Sequence, residues 1–338
     1  MKRKLYIPKH RITIAASLVS CLLLIQGILN AQDSTVVAEE STVPAKAKPV
    51  KNTFQSVWII DNQTVMVPVK KTFEMDIQHR FGTVEKGYED FWGFFAPSNI
   101  RIGFSYTPIN KLNVGVGFTK TTASIIPEQG VSSVTGPLWD GSLKYSIITQ
   151  TKGIYPVSVT YYVNAAYNTK KDKAKDVYRN YSDRLSYFHQ LLIARKVTDK
   201  LSVQVAPSIS HHNVVNGYFT KLNDSTLKIK PDMKFDHFAI ALSARYKLTN
   251  VTSVMINYDQ PITKHVSNNP NPSLSFGLEF NTSSHSFQVF ATNYFYLVPQ
   301  INNLYNANSP FKYTDAADNK IEGGKFLIGF NITRLWNY

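Results

Sequence analysis

From Thr72 to Gly82 the chain reads Thr-Phe-Glu-Met-Asp-Ile-Gln-His-Arg-Phe-Gly. Phe73, Met75, Ile77, His79 and Phe81 alternate with Glu74, Asp76, Gln78 and Arg80. Successive side chains of a strand point to opposite faces, so one face is nearly all apolar and the other carries charges and an amide. That is odd for the first strand of a soluble sheet. It is natural where lipid lies on one side and a wet lumen on the other.

The same alternation recurs. Ile100, Ile102, Phe104 and Tyr106 are followed by Leu112, Val114, Val116 and Phe118, then Leu143, Tyr145 and Ile147, then Val157, Val159, Tyr161 and Val163. The stretch from Leu185 to Ala194 is less cleanly patterned and is assigned to a strand by position alone. Further candidates run through Leu201–Ile209, Phe238–Tyr246, Val254–Tyr258, Leu274–Phe280, Phe287–Val298 and Phe326–Ile332. This predicts an all-β, antiparallel, up-and-down transmembrane β-barrel of about 12 strands, or 14 if Val57–Val69 adds two.

Connections sort into two kinds. Short turns fall near 107–111, 150–155, 197–200, 249–251 and 282–285; long loops fall near 82–98, 120–138, 169–183, 212–235, 261–272 and 299–324. The two kinds alternate strictly, as in barrels with short periplasmic turns and long extracellular loops. A soluble sandwich would also alternate in hydrophobicity, but it has no reason to sort loop length by side. Tyr106, Trp139, Tyr155, Tyr246, Tyr258, Tyr296 and Trp336 are placed to form interfacial girdles. The C-terminal strand ends Leu335-Trp336-Asn337-Tyr338. That ending looks like the signal by which barrels are handed to the outer-membrane insertion machinery.

The N-terminus carries Lys2, Arg3, Lys4, Lys9 and Arg11 ahead of an apolar run from Ile12 to Leu29, with Ala31 before Gln32. Residues 1–31 therefore read as a secretory signal peptide, cleaved on export to the outer membrane. The alternatives are an N-terminal membrane anchor and a lipobox at Leu18-Val19-Ser20-Cys21. The lipobox is disfavoured because Cys21 sits in mid-run, before Leu22-Leu23-Leu24-Ile25. Cys21 is the only cysteine, so without the leader there are no disulfides, thiolate metal sites or Cys nucleophiles. Residues 32–52 lack aromatics and read as a disordered spacer. Residues 53–70 form a pre-barrel segment, at the mouth or as a plug, and 71–338 form the barrel. The arms around Asp61-Asn62 are shorter than the ~9–11 residues a membrane strand needs.

Basic residues exceed acidic ones, 37 to 23, but they are spread along the chain. The Lys170–Lys175 cluster is broken by Asp172, so no nucleic-acid surface is read. Adjacent His211 and His212 face opposite ways in a strand and do not chelate one ion there. No Walker loop, Rossmann glycine pattern, EF-hand run or serine-centred elbow occurs. No catalytic residue, metal or cofactor is assigned. The informative polar set is the lumen-lining one: Glu74, Asp76, Gln78, Arg80, Arg101, Lys144, Gln204, Arg245 and Glu279, with Asn331. In one reading these charges pair and fill the barrel. In the other they line a narrow path, since twelve strands fall between filled eight-stranded barrels and open sixteen-stranded ones.

The words Ile60-Asp61-Asn62-Gln63-Thr64-Val65, Gln78-His79-Arg80-Phe81-Gly82, Asp90-Phe91-Trp92-Gly93, Trp139-Asp140-Gly141-Ser142-Leu143-Lys144-Tyr145 and Gly329-Phe330-Asn331-Ile332-Thr333-Arg334 carry a resemblance. Over residues 54–338 the chain resembles a family of uncharacterised outer-membrane β-barrel proteins of Bacteroidetes-type bacteria, a domain of unknown function with no assigned activity. The resemblance implies outer-membrane location and barrel fold, and brings no functional residues. The expected function is a narrow channel or transport barrel for small polar solutes. The alternative is a non-conducting scaffold that binds a periplasmic or surface partner through its long loops, and the third reading is an outer-membrane enzyme. Outer-membrane lipid and the insertion machinery are the expected partners.

Overall fold

The computed structural model describes residues 48–51, 53–121, 137–169, 178, 180–215, 217–223, 226–231, 233–266, 269–314, 318 and 320–337. The expected signal peptide, most of the expected spacer, much of the 120–138 and 169–183 loops, and Tyr338 lie outside the described residues.

Twelve antiparallel strands close into a barrel. They are β1 (Thr72–Thr83), β2 (Asn99–Ile109), β3 (Leu112–Thr121), β4 (Leu138–Ile148), β5 (Ser158–Asn168) and β6 (Leu185–Lys196). After these come β7 (Leu201–His212), β8 (Asp236–Lys247), β9 (Thr252–Pro261), β10 (Ser273–Asn281), β11 (His285–Thr292) and β12 (Leu327–Asn337). Each strand pairs with its neighbours in sequence, and β12 closes on β1, with Ile332 opposite Ile77 and Asn337 opposite Thr72. Among the described residues no helix is long and apolar enough to cross a membrane, which says nothing against crossing by strands.

Burial runs opposite to that of a soluble protein. On β2, Ile100, Ile102, Phe104 and Tyr106 are exposed while Arg101 is buried; on β1 the buried positions are Glu74, Asp76, Gln78 and Arg80. An apolar outer belt around a polar interior is the pattern of a barrel in lipid. Val116, in the middle of β3, is 56% exposed on that belt. Val116→Arg is therefore expected to cost about 2–4 kcal/mol in urea unfolding from lipid vesicles. An unchanged urea midpoint would mean that this face meets water.

Several expectations are corrected. Val57–Val69 adds no barrel strand: Trp58–Ile59 pairs only with Asn62–Gln63, as a hairpin separate from the barrel sheet. The strand expected over Phe287–Val298 stops at Thr292. From Tyr294 the chain turns into the lumen, and Tyr294, Tyr296, Leu297 and Val298 are all buried. A run without alternation has no lipid face to offer, so it packs on all sides. Tyr296 is thus lumen fill and no part of an aromatic girdle. The 212–235 loop holds an unexpected two-stranded hairpin, Gly217–Asn223 with Thr226–Pro231.

The weak pattern of β6 also has a cause. Its inward residues include Phe188, Leu192 and Ala194, which pack with Phe54, Ile59, Ile60 and Val65 of the hairpin segment. With lipid outside and an apolar hairpin inside, β6 is apolar on both faces and the period of two fades.

Candidate functional site

The lumen is occupied from both ends. Residues 48–51 and 53–70 enter from the short-turn end, where the Val50 N–H donates to Gln150 O at 2.8 Å and the Lys71 N–H to Thr107 O at 2.8 Å. The hairpin tip, Ile60-Asp61, reaches the wall between β1, β10, β11 and β12. There Asp61 Oδ1 accepts from Arg80 Nη2 at 2.8 Å and Nε at 3.2 Å. Its Oδ2 accepts from Ser275 Oγ at 2.9 Å and Thr292 Oγ1 at 2.7 Å. Both charged side chains are 1% exposed. Arg80 also donates to Asn331 Oδ1 at 3.0 Å, and its guanidinium lies 4.5 Å from the Phe290 ring centre.

Ile60 has φ +54°, a left-handed conformation that a β-branched residue rarely adopts. Such strain persists where surroundings over-determine it. Here the Ile60 N–H donates to Gln288 Oε1 at 3.2 Å and its carbonyl accepts from Asn331 Nδ2 at 2.8 Å. Several of the hairpin's other buried backbone groups are also answered by wall side chains. Gln288 donates to Trp58 O at 2.8 Å, Gln204 to Gln63 O at 2.7 Å and Thr160 to Val65 O at 3.0 Å. Gln204 Oε1 accepts the Val65 N–H at 3.1 Å, and Asn257 donates to Ile59 O. Buried backbone polar groups need such partners.

Beside the hairpin, wall charges also pair among themselves. Register places Asp76, Gly103, Gly117 and Asp140 in one row across β1 to β4. Arg101 lies two residues from Gly103 on the same face, and its guanidinium spans the row. Nη1 meets Asp76 Oδ2 at 2.8 Å; Nη2 and Nε meet Asp140 at 2.9 and 3.0 Å. The two glycines make that bay. A Cβ at Gly117 would strike Arg101 Nη2, and one at Gly103 would strike Asp76 Oδ1. Arg245 pairs with Glu279 across β8 and β10 and donates to Gln55 Oε1 on the hairpin stem at 2.6 Å. Lys144 Nζ donates to Gln63 Oε1 at 2.9 Å, and with Glu74 it borders a cavity of about 20 Å³.

The second obstruction comes from the long-loop end. Residues 293–310 fold inward around helix α1 (Pro299–Tyr305). Gln300 donates to Asn164 Oδ1 at 3.1 Å, and Asn302 bonds both the N–H and the carbonyl of Tyr296. Leu138, Ala166, Val215 and Met233 pack against Val298, Ile301, Leu304 and Tyr305. Burial holds the Tyr296 and Tyr305 phenols above their ordinary range, so both stay neutral.

All nine candidate lumen residues, Glu74, Asp76, Gln78, Arg80, Arg101, Lys144, Gln204, Arg245 and Glu279, are buried within the barrel. The structure groups Arg101 with Asp76 and Arg245 with Glu279, and turns Arg80, Lys144 and Gln204 onto the hairpin. Among the described residues Gln78 Nε2 has no hydrogen-bond partner. Sequence reasoning missed Asp61, Asp140, Gln288 and Asn257, and Asp259 of β9, whose buried carboxylate accepts from Asn62 Nδ2 on the hairpin at 3.0 Å. Asp140 was findable, because it shares parity with Lys144 on one strand. Asp61 was not, because nothing local says where a hairpin tip lands.

Among the histidines, His211 is half-exposed and pairs with Asp236 at 2.7 Å, while buried His212 faces inward toward Gln300 O at 3.1 Å. His79 stacks on Phe330 on the outer face, with ring centres 5.1 Å apart. Among the described residues no group of three His, Cys, Asp or Glu is placed to hold a metal.

No curated protein matches the chain. Solved structures to which it is similar include the KdgM porin, at 9% identity over 78% of this chain and 99% of that one, TM-score 0.41. The NanC porin is similar at 9% identity over 79% and 99%, TM-score 0.42. An outer membrane channel from Pseudomonas putida F1 is similar at 12% identity over 80% and 97%, TM-score 0.42. At such distances nothing of their transport is carried to this chain. A family model matches residues 54–336, hairpin and barrel together, and the chain belongs to that family, the membrane bound beta barrel domain (DUF5777).

Proposed function

We propose that this protein is an outer-membrane barrel closed at rest by its own N-terminal hairpin, a gated conduit for small polar solutes and not an open porin. In this reading residues 1–31 direct export and are removed, and the short turns face the periplasm.

One observation carries it. Among the described residues the hairpin, residues 54–66, shares no backbone ladder with the barrel; wall side chains hold it, and backbone bonding to the barrel is confined to the stem, at Val50 N–H to Gln150 O. It leaves without breaking a single strand pairing, and most of the wall groups it uncovers are amides, hydroxyls and charges that water solvates well. The uncovered wall carries both signs, Arg80, Arg101, Lys144 and Arg245 against Glu74, Asp76, Asp140, Asp259 and Glu279. A mixed wall of this kind favours small polar solutes with weak ion preference.

The test is conductance in planar bilayers. The full-length protein is expected to be silent for most of the record, and a chain lacking residues 54–66 to show discrete open steps. Equal conductance from both would sink the plug reading.

A second reading, a non-conducting scaffold, is favoured by the obstruction at residues 293–310. If the barrel without its hairpin folds and stays silent in several lipids, the scaffold reading replaces the first.

A further inference from the structure

The short-turn mouth holds a cavity of about 150 Å³ whose lining includes Lys51, Lys196, Lys200, Lys247, Arg245 and Asp199. Two turns and the hairpin stem bring these residues together. The Lys247 N–H donates to Lys200 O at 2.9 Å, which joins the β6–β7 turn to the end of β8. Lys196 Nζ reaches Lys51 O on the stem at 3.5 Å. Charge in the cavity is unbalanced. Arg245 is already neutralised by Glu279, and Asp199, fully solvent-exposed, approaches only Lys196, at 3.7 Å. Among the described residues Lys51, Lys200 and Lys247 form no ion pair. Like charges gathered around one enclosure repel unless an anion joins them. Ammonium groups serve phosphate as point-charge donors. With liquid water occupying about 30 Å³ per molecule, the space suits one phosphate group with attendant water.

We infer that this mouth binds a small phosphate-bearing anion, which ties Lys51 of the stem to Lys200 and Lys247 of the wall and holds the hairpin in. The anion site stands on the cavity alone, whereas the clamp rests on the hairpin being the movable part. An anion shifts the equilibrium by binding the closed state more tightly than the open one.

The experiment uses the full-length protein in neutral phosphatidylcholine vesicles. Amine acylation of Lys200 and Lys247 is followed by mass spectrometry, with exposed Lys312 as the internal reference. Millimolar inorganic phosphate is expected to slow labelling of Lys200 and Lys247, and chloride at matched ionic strength is not. In single variants the remaining lysine reports: labelling of Lys247 in Lys200→Gln, and of Lys200 in Lys247→Gln, should need about tenfold more phosphate for the same protection. Surface exchanges of this kind leave the barrel folded. A second arm replaces inorganic phosphate with phosphatidylglycerol vesicles, and protection there alone keeps the site but assigns it to a lipid headgroup.

No protection in either arm, or equal protection by chloride, overturns the site. In bilayers, phosphate should lower the opening frequency about tenfold; protection without that change overturns the clamp. Failure of the plug reading would show separately, as equal conductance with and without the hairpin.

Discussion

Exchange of Arg101 for leucine is expected to be among the most destabilising single changes in the barrel wall, costing about 3–5 kcal/mol. Among the described residues Arg101 is the sole cation paired with Asp76 and Asp140, with side-chain exposures of 6%, 7% and 1% for the three residues. Leucine leaves two buried carboxylates without a cation, Asp140 keeping only the Asn164 amide at 2.9 Å, and the glycine bay at Gly103 and Gly117 offers no replacement donor. Urea unfolding from lipid vesicles measures the loss. A variant with Arg101→Met, Asp76→Asn and Asp140→Asn together should recover most of it, because removing a buried ion network whole costs far less than halving it. A midpoint for Arg101→Leu equal to the parent's would show that the triad carries no stability.

The second large effect belongs to Asp61. Asp61→Ala removes the only carboxylate paired with Arg80 among the described residues, strips Thr292 of its acceptor and leaves Ser275 to donate to Thr292 Oγ1 instead. An uncompensated buried guanidinium costs about 3–5 kcal/mol, and the protein's cheapest escape is to let the hairpin leave and water enter. Channel openings should rise by about two orders of magnitude or more, and Trp58 should become accessible to aqueous quenchers. Asp61→Asn keeps an acceptor for Ser275 and Thr292, so it should fall between parent and alanine. If the alanine variant stays silent with Trp58 shielded, Asp61 does not hold the hairpin.

Much of the fold was legible because a membrane barrel writes itself locally. Each of Phe73 to Phe81 meets lipid or lumen according to its parity, and turn length reports which side of the membrane a connection lies on. The strands that misread are those whose environment departs from lipid outside and polar inside. On β6 the hairpin supplies an apolar inner neighbour. After Thr292 the chain leaves the wall, and Tyr294–Val298 keeps the hydrophobicity of a strand while losing its alternation.

The lumen residues were legible one at a time and not as pairs. Parity marks Arg80, Arg101 and Arg245 as inward, but their partners are set by register across strands far apart in sequence. Asp61 and Arg80 are 19 residues apart and meet only because the hairpin threads back into the barrel. Asp140 and Arg101 are 39 apart and meet across two glycines that a sequence reading passes over.

The sequence by itself determined an up-and-down barrel of about twelve strands, fourteen being open, and the inward set of charges, because period-two alternation and loop length are local properties that the solvent on each face imposes. Tertiary structure alone decided that the hairpin occupies the lumen. Where a hairpin tip lodges depends on wall side chains from β1, β10 and β11 converging on the Asp61 carboxylate, with β12 holding the neighbouring Ile60 carbonyl, and that convergence exists only once the barrel has formed.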